Sequence, residues 1–221
     1  MKPFFAALVL AVLAVQSVQA DWVIVQKTNS DGKEQDVTLK VKGDKARSDM
    51  GEKMSMILDG AEGKVVLLMH DRKAMMKMDG DSMKGMMALA GNLLGGKDKK
   101  PVKPEATGQM EKIGEYDTEI YTWTGPLGSG KFWVAKNFPN AEELNRVQDK
   151  LTKAMGNPVA AFAPSSTDFP GMVVKTEMQM MGKKIVSETV SATQRPVDDA
   201  IFVLPTDYEE MKMPKLPSGG K

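Results

Sequence analysis

A run of short alternating segments between residues 22 and 79 constrains the fold of this chain more than any other feature. Residues 37–41, 54–58 and 74–78 each place apolar side chains at every second position, with turn residues between the segments. A period of two is typical of a strand with one buried face. Residues 65–69 are apolar throughout, which indicates a strand covered on both faces. The connections between these segments are short enough to be hairpin loops, so the sequence predicts an antiparallel sheet.

Two stretches change to the three-and-four spacing of a helix. The first follows Ser82 over residues 83–94, and the second runs from Ala141 to Met155 after Asn140. Strands are predicted again at 109–113, 118–123, 131–135, 172–181 and 183–192. This order predicts an α+β fold: a curled antiparallel sheet, or unclosed β-barrel, of about eleven strands with two helices on the concave side.

Residues 1–20 have the layout of a secretory signal peptide. Lys2 is positively charged, Phe4 to Val15 are apolar, and Ala20 is a small residue at the cleavage position. The apolar run is shorter than the roughly 20 residues that cross a bilayer. We therefore expect cleavage after Ala20 and a periplasmic or secreted protein with no membrane span after cleavage. We expect one domain over 21–213, with a mobile loop at 97–105, and a disordered tail at 214–221.

Composition excludes several classes of function. The chain has 30 Lys and Arg against 29 Asp and Glu, so it lacks the charge excess of a nucleic-acid binder. It has no cysteine, which excludes thiol enzymes and zinc–thiolate sites. His70 is the single histidine, and we expect it at the surface beside Asp71. The sequence therefore predicts neither an enzyme nor a bound cofactor.

The run from Gly125 to Lys131 matches the first seven positions of a phosphate-binding loop. Its eighth position is Phe132, where that loop needs Ser or Thr, and the loop must also be followed by a helix. Because residues 132–134 favour a strand, we interpret the run as a hairpin loop.

Methionine is abundant, with 19 residues, and it supports two interpretations. Thioethers fill irregular cores and line adaptable apolar sites, but they also bind Cu(I). We favour an apolar cavity lined by Met54, Met56, Met76, Met78, Met83, Met86, Met87, Leu93, Trp133, Met178 and Met180, because period-two methionines point to one face. The Cu(I) alternative uses Met75, Met76, Met78 and His70.

Four short motifs resemble a bacterial extracytoplasmic family described as domain of unknown function 4412. They are Lys45–Asp49, Ile113–Tyr116, Phe132–Ala135 and Ala200–Tyr208. That family is in turn similar to the periplasmic lipoprotein-localisation carriers. The resemblance implies an unclosed half-barrel with helices over an apolar cavity, and a lipid or lipoprotein as partner.

These observations predict a soluble binding protein that holds a lipid or a lipoprotein acyl chain in its half-barrel. Two alternatives remain open at this point. One is a methionine-rich Cu(I)-binding protein, and the other is a ligand-free structural or interaction module in which the first helix fills the cavity.

Overall fold

The computed structural model describes residues 21–78, 102–126, 128–154, 163–180 and 182–211. These residues form a twelve-stranded sheet, one α-helix and three short 3-10 helices. The sheet is unclosed and almost wholly antiparallel, which confirms that part of the prediction. The first predicted helix, at residues 83–94, lies outside the described residues, so two helices are not confirmed.

The N-terminal half of the sheet is a six-stranded meander. Its strands are β1 (Trp22–Ser30), β2 (Lys33–Lys42), β3 (Lys45–Met50), β4 (Met54–Asp59), β5 (Lys64–Met69) and β6 (Ala74–Met78). Each strand pairs antiparallel with the next. Asp31 and Gly32 join β1 to β2 with φ angles of 50° and 83°, as a two-residue hairpin turn requires.

The C-terminal half contains five strands and the helix. They are β7 (Glu105–Ile113), β8 (Tyr116–Gly125), β9 (Gly128–Ala135), α1 (Ala141–Ala154), β10 (Met172–Met180) and β11 (Lys183–Gln194). Strand β11 pairs with β1 and so joins the two halves into one sheet. Strand β7 begins four residues before the predicted start, so Glu105 belongs to the sheet and not to the predicted mobile loop.

A twelfth strand corrects the predicted count of about eleven. Strand β12 is only Glu209–Glu210, and it pairs in parallel with the start of β6. Two residues are too short to show a period in the sequence, which is why the pattern missed it. The segment that leads to β12 crosses one face of the meander, and we call residues 195–211 the C-terminal strap.

Helix α1 packs on the sheet through its predicted apolar stripe. It begins directly after Asn140, whose carbonyl accepts a hydrogen bond from the backbone N–H of Leu144. Leu144 is fully buried, and Val147 packs against the same core. The remaining predicted stripe positions, the Leu151 side chain and Met155, lie outside the described residues. Within the described part of the chain, no helix has the length and apolarity needed to cross a membrane.

The glycine-rich run lies in a hairpin, as predicted. Strand β8 ends at Gly125, β9 begins at Gly128, and Phe132 lies within β9. A Cβ atom at Gly128 would overlap the carbonyl oxygen of Gln179 on β10. The glycine therefore allows two strands to approach closely, and a strand follows the run where a nucleotide site would need a helix.

Candidate functional site

The meander β1–β6 has two apolar faces, because alternate residues point to opposite sides. The helix face carries Ala46, Leu58 and Val65, which belong to the same core as Leu144 of α1. The strap face carries Val23, Ile57, Val66, Leu68 and Met75, which pack against Val197 and Phe202 of the C-terminal strap. Strand β5 is buried on both faces, which confirms the interpretation of its continuous apolar run.

A groove of about 290 Å³ lies on the helix face between β1–β4 and α1. We call it the helix-face groove. Its sheet wall is apolar and comprises Val37, Leu39, Ala46, Met56 and Leu58. Its polar groups are neutral and comprise Gln26, Ser48, Gln148, Thr152 and Ser166. The volume is close to the lower end of the roughly 300–1,000 Å³ range of small-molecule sites.

A second, smaller groove of about 190 Å³ adjoins the first. Both grooves are lined by Gln26, Gln148 and Ser166, so these three side chains form their common border. The Ser166 hydroxyl donates to Gln148 Oε1 at 3.3 Å, and Gln26 Nε2 donates to Thr189 Oγ1 at 3.4 Å. These long, weak contacts leave the two amides able to exchange partners with a ligand.

The two amides of this border were not predicted from the sequence. Gln26 occupies the helix face at the period-two position after Trp22 and Ile24, where an apolar residue continues the pattern. A polar residue at an apolar position was the available signal. Gln148 offered a similar signal, because it lies four residues after Leu144 and so borders the apolar stripe of the helix.

Several predicted cavity residues share the helix face. Met56 lines the helix-face groove, and Met78 packs against the helix-face core. Met54 and Met76 lie on the same face by strand alternation, and Met54 is 37% exposed. Four other predicted residues, Met83, Met86, Met87 and Leu93, lie outside the described residues.

The remaining predicted residues lie in the C-terminal half of the sheet. Trp133 is buried, donates from Nε1 to Glu111 Oε2 at 2.7 Å, and carries the Lys175 ammonium 4.5 Å from its ring centroid. Met178 packs against a separate core cluster that includes Phe132, and Met180 lies at the end of β10. None of these three lines the helix-face groove.

The four residues of the Cu(I) alternative do not converge. Met75 is buried in the strap-face core, whereas Met76 and Met78 lie on the helix face. Both ring nitrogens of His70 are already in hydrogen bonds. The four residues are close in sequence, but side chains alternate along a strand, so Met75 points to the opposite face from Met76 and Met78. Among the described residues, no cluster of three or more His, Asp or Glu side chains could hold a metal ion.

His70 is half-buried on the strap face, which corrects its expected surface position. Its Nδ1 lies 2.7 Å from the Tyr208 hydroxyl of the C-terminal strap, and its Nε2 lies 2.7 Å from Ser55 Oγ. Ser55 in turn donates to Asp49 Oδ1 at 2.7 Å. A catalytic triad needs histidine between serine and aspartate, with an accessible serine. Here serine is in the middle and is 1% exposed, so the geometry is structural.

Arg47 ties this chain of hydrogen bonds to the C-terminal strap. Its guanidinium donates to Asp49 Oδ1 at 2.6 Å, to Ser55 Oγ at 3.1 Å and to the Ile201 carbonyl at 2.9 Å. Burial disfavours the Asp49 carboxylate, but hydrogen bonds from Lys40, Arg47 and Ser55 outweigh it and lower its pKa to about 2. Two of the motifs that suggested the family, at 45–49 and 200–208, therefore meet in space.

An unclosed antiparallel sheet with a helix over an apolar groove defines a half-barrel protein. The chain belongs to the family described as Domain of unknown function (DUF4412), whose model matches residues 23–208. This match confirms the family that the four sequence motifs indicated. No curated protein matches the chain significantly.

Solved structures with very different sequences resemble the chain. An uncharacterized conserved protein from Thermus thermophilus is 8% identical, with a TM-score of 0.54 over 89% of this chain and 92% of that one. The Mycobacterium tuberculosis lipoprotein LppX is 10% identical, with a TM-score of 0.42 over 80% and 88%. A LolA superfamily protein from Nitrosomonas europaea is 11% identical, with a TM-score of 0.34 over 85% and 91%. The first likeness shows the fold.

Proposed function

We propose that this protein binds an apolar ligand, a lipid or the acyl chain of a lipoprotein, in the helix-face groove. The observation that carries the proposal is the lining of that groove. The side chains of its sheet wall are aliphatic or, at Met56, a thioether, and its polar side chains carry neutral hydroxyl or amide groups. Burial of methylene groups against such a wall is favourable by roughly 0.8 kcal/mol for each CH₂.

The neutral border between the two grooves suits the polar end of the same ligand. Gln26 and Gln148 each have amide groups that can both donate and accept hydrogen bonds. An acyl ester or amide offers such groups at the end of its hydrocarbon chain. The acyl chain would then lie against Leu39 and Met56, with its linkage at the two glutamines.

The proposed location is outside the cytoplasm. Support comes from the signal-peptide layout of residues 1–20, with cleavage after Ala20. In that location a cavity for acyl chains would serve the transport of a lipid or lipoprotein, in keeping with the sequence resemblance to the lipoprotein-localisation carriers.

A binding titration with a fluorescent fatty acid tests the proposal. Met56→Glu places a charge on the apolar wall, and burial of an unpaired charge is costly, so we expect binding to weaken about tenfold or more. The matched control is Met110→Glu on β7, where the methionine is 66% exposed and lies outside the groove. This control should bind like the wild type.

Two results would contradict the proposal. One is a wild-type protein that takes up no acyl chain, which would favour the ligand-free module. The other is a folded Met56→Glu variant, with an unchanged circular dichroism spectrum and thermal transition, that binds with wild-type affinity.

A further inference from the structure

Three methionines lie in a single cross-strand row at one end of the meander. Met50 on β3 is directly opposite Met54 on β4, and Met54 is directly opposite Met69 on β5. We call these three residues the methionine row. No period in the sequence reveals it, because the three positions come together only through the hairpin registers.

The register places the three side chains on one face within reach of each other. Directly opposite residues point to the same side of a sheet, with Cβ atoms roughly 4.5–5.5 Å apart. Met54 is central, so the side chains of Met50 and Met69 need only lean toward it. A methionine side chain has three rotatable bonds and adapts readily to such a geometry.

The row is also accessible, with Met54 as its most exposed member. Met54 is 37% exposed, and Met50 and Met69 are each partly exposed. By contrast, Met172 is 0% and Met75 is 7% exposed. An ion from solvent can therefore reach the row at Met54.

The surroundings of the row are apolar at both ends. Val37 is opposite Met50, and Ala74 is opposite Met69. A site built from neutral thioethers with apolar neighbours favours a soft, singly charged ion over hard divalent ions, which prefer oxygen ligands.

We propose that Met50, Met54 and Met69 form a surface site for Cu(I), with the three thioether sulfurs as ligands. This set differs from the one that sequence spacing suggested, since it contains neither His70 nor Met75. The site borders the proposed acyl site, because Val37, which is opposite Met50, and Met56, two residues from Met54 on the same strand, both line the helix-face groove.

An anaerobic Cu(I) titration of the mature protein against a chromophoric Cu(I) chelator tests the site. We expect one Cu(I) per chain for the wild type. The variant M50L/M54L/M69L keeps the apolar volume but removes the sulfurs, and it should lose this binding. The control M75L/M110L/M172L removes the same number of sulfurs from other positions and should retain it.

A second measurement keeps the test decisive if the triple variant does not fold. Met54→Leu alone changes an exposed side chain, and it should weaken Cu(I) binding at least about tenfold, since even loss of an outer partner of a metal ligand costs about 10–100-fold. In the wild type with ¹³C-methyl methionine, Ag(I) should shift the methyl signals of the row and leave those of Met75 and Met172 in place.

Three outcomes would overturn the site: no stoichiometric Cu(I) on the wild type, equal binding by the methionine-row variant, or loss of binding in the control variant.

Discussion

Leu68 on the strap face is fully buried beneath the C-terminal strap, whereas Met56 on the helix face of the neighbouring strand lines an open groove. The same meander supplies both faces with apolar side chains, so the strands themselves do not decide which face binds a ligand. The two faces differ in how completely they are covered. The C-terminal strap packs on its face through an apolar core and through hydrogen bonds to Arg47 and His70. Helix α1, in contrast, leaves a groove beside the helix face.

Truncation of one side chain on each face gives the largest expected contrast. Leu68→Ala creates a cavity in a closed core and should lower the free energy of unfolding by about 2–5 kcal/mol. Met56→Ala enlarges a groove that solvent already reaches, so we expect a loss of about 1 kcal/mol. Urea unfolding of both variants measures the difference. Equal losses would mean that the two faces are equally closed.

Acid should weaken the strap face through Asp49. Its pKa is lowered from an ordinary 3.8 to about 2, so its ionised form stabilises the native state above about pH 4. That contribution, about 1–2 kcal/mol, is lost as the pH falls from about 4 to 2. The variant Asp49→Asn lacks it and should show a shallower acid limb when the free energy of unfolding is measured against pH. Parallel profiles for the two proteins would show that Asp49 does not stabilise the strap.

Much of the sheet was predictable because strand alternation and turn chemistry are local. The continuous apolar run 65–69 indicated a strand covered on both faces, and Gly182, with a φ of 79°, joins β10 to β11 as the hairpin pattern predicted. The run from Gly125 to Lys131 was predictable as a hairpin loop for an equally local reason, because residues 132–134 favour a strand.

The contacts that distinguish the two faces were not predictable, because they join distant parts of the chain. Arg47 and Ile201 are 154 residues apart, and neither segment has a sequence pattern that predicts their hydrogen bond. The faces of neighbouring methionines were hard to predict for a related reason. Adjacent residues such as Met75 and Met76 look like one site in sequence, but strand alternation sends them to opposite faces.

The measurement that tests the central claim most directly is photolabelling with a diazirine-bearing fatty acid, followed by residue-level mass spectrometry. Met56 and Ile57 are adjacent on β4 but lie on the helix face and the strap face, respectively. We expect adducts at Leu39 and Met56 and none at Ile57 or Leu68. Adducts concentrated on the strap face, or labelling no greater than that of the Met56→Glu variant, would contradict it.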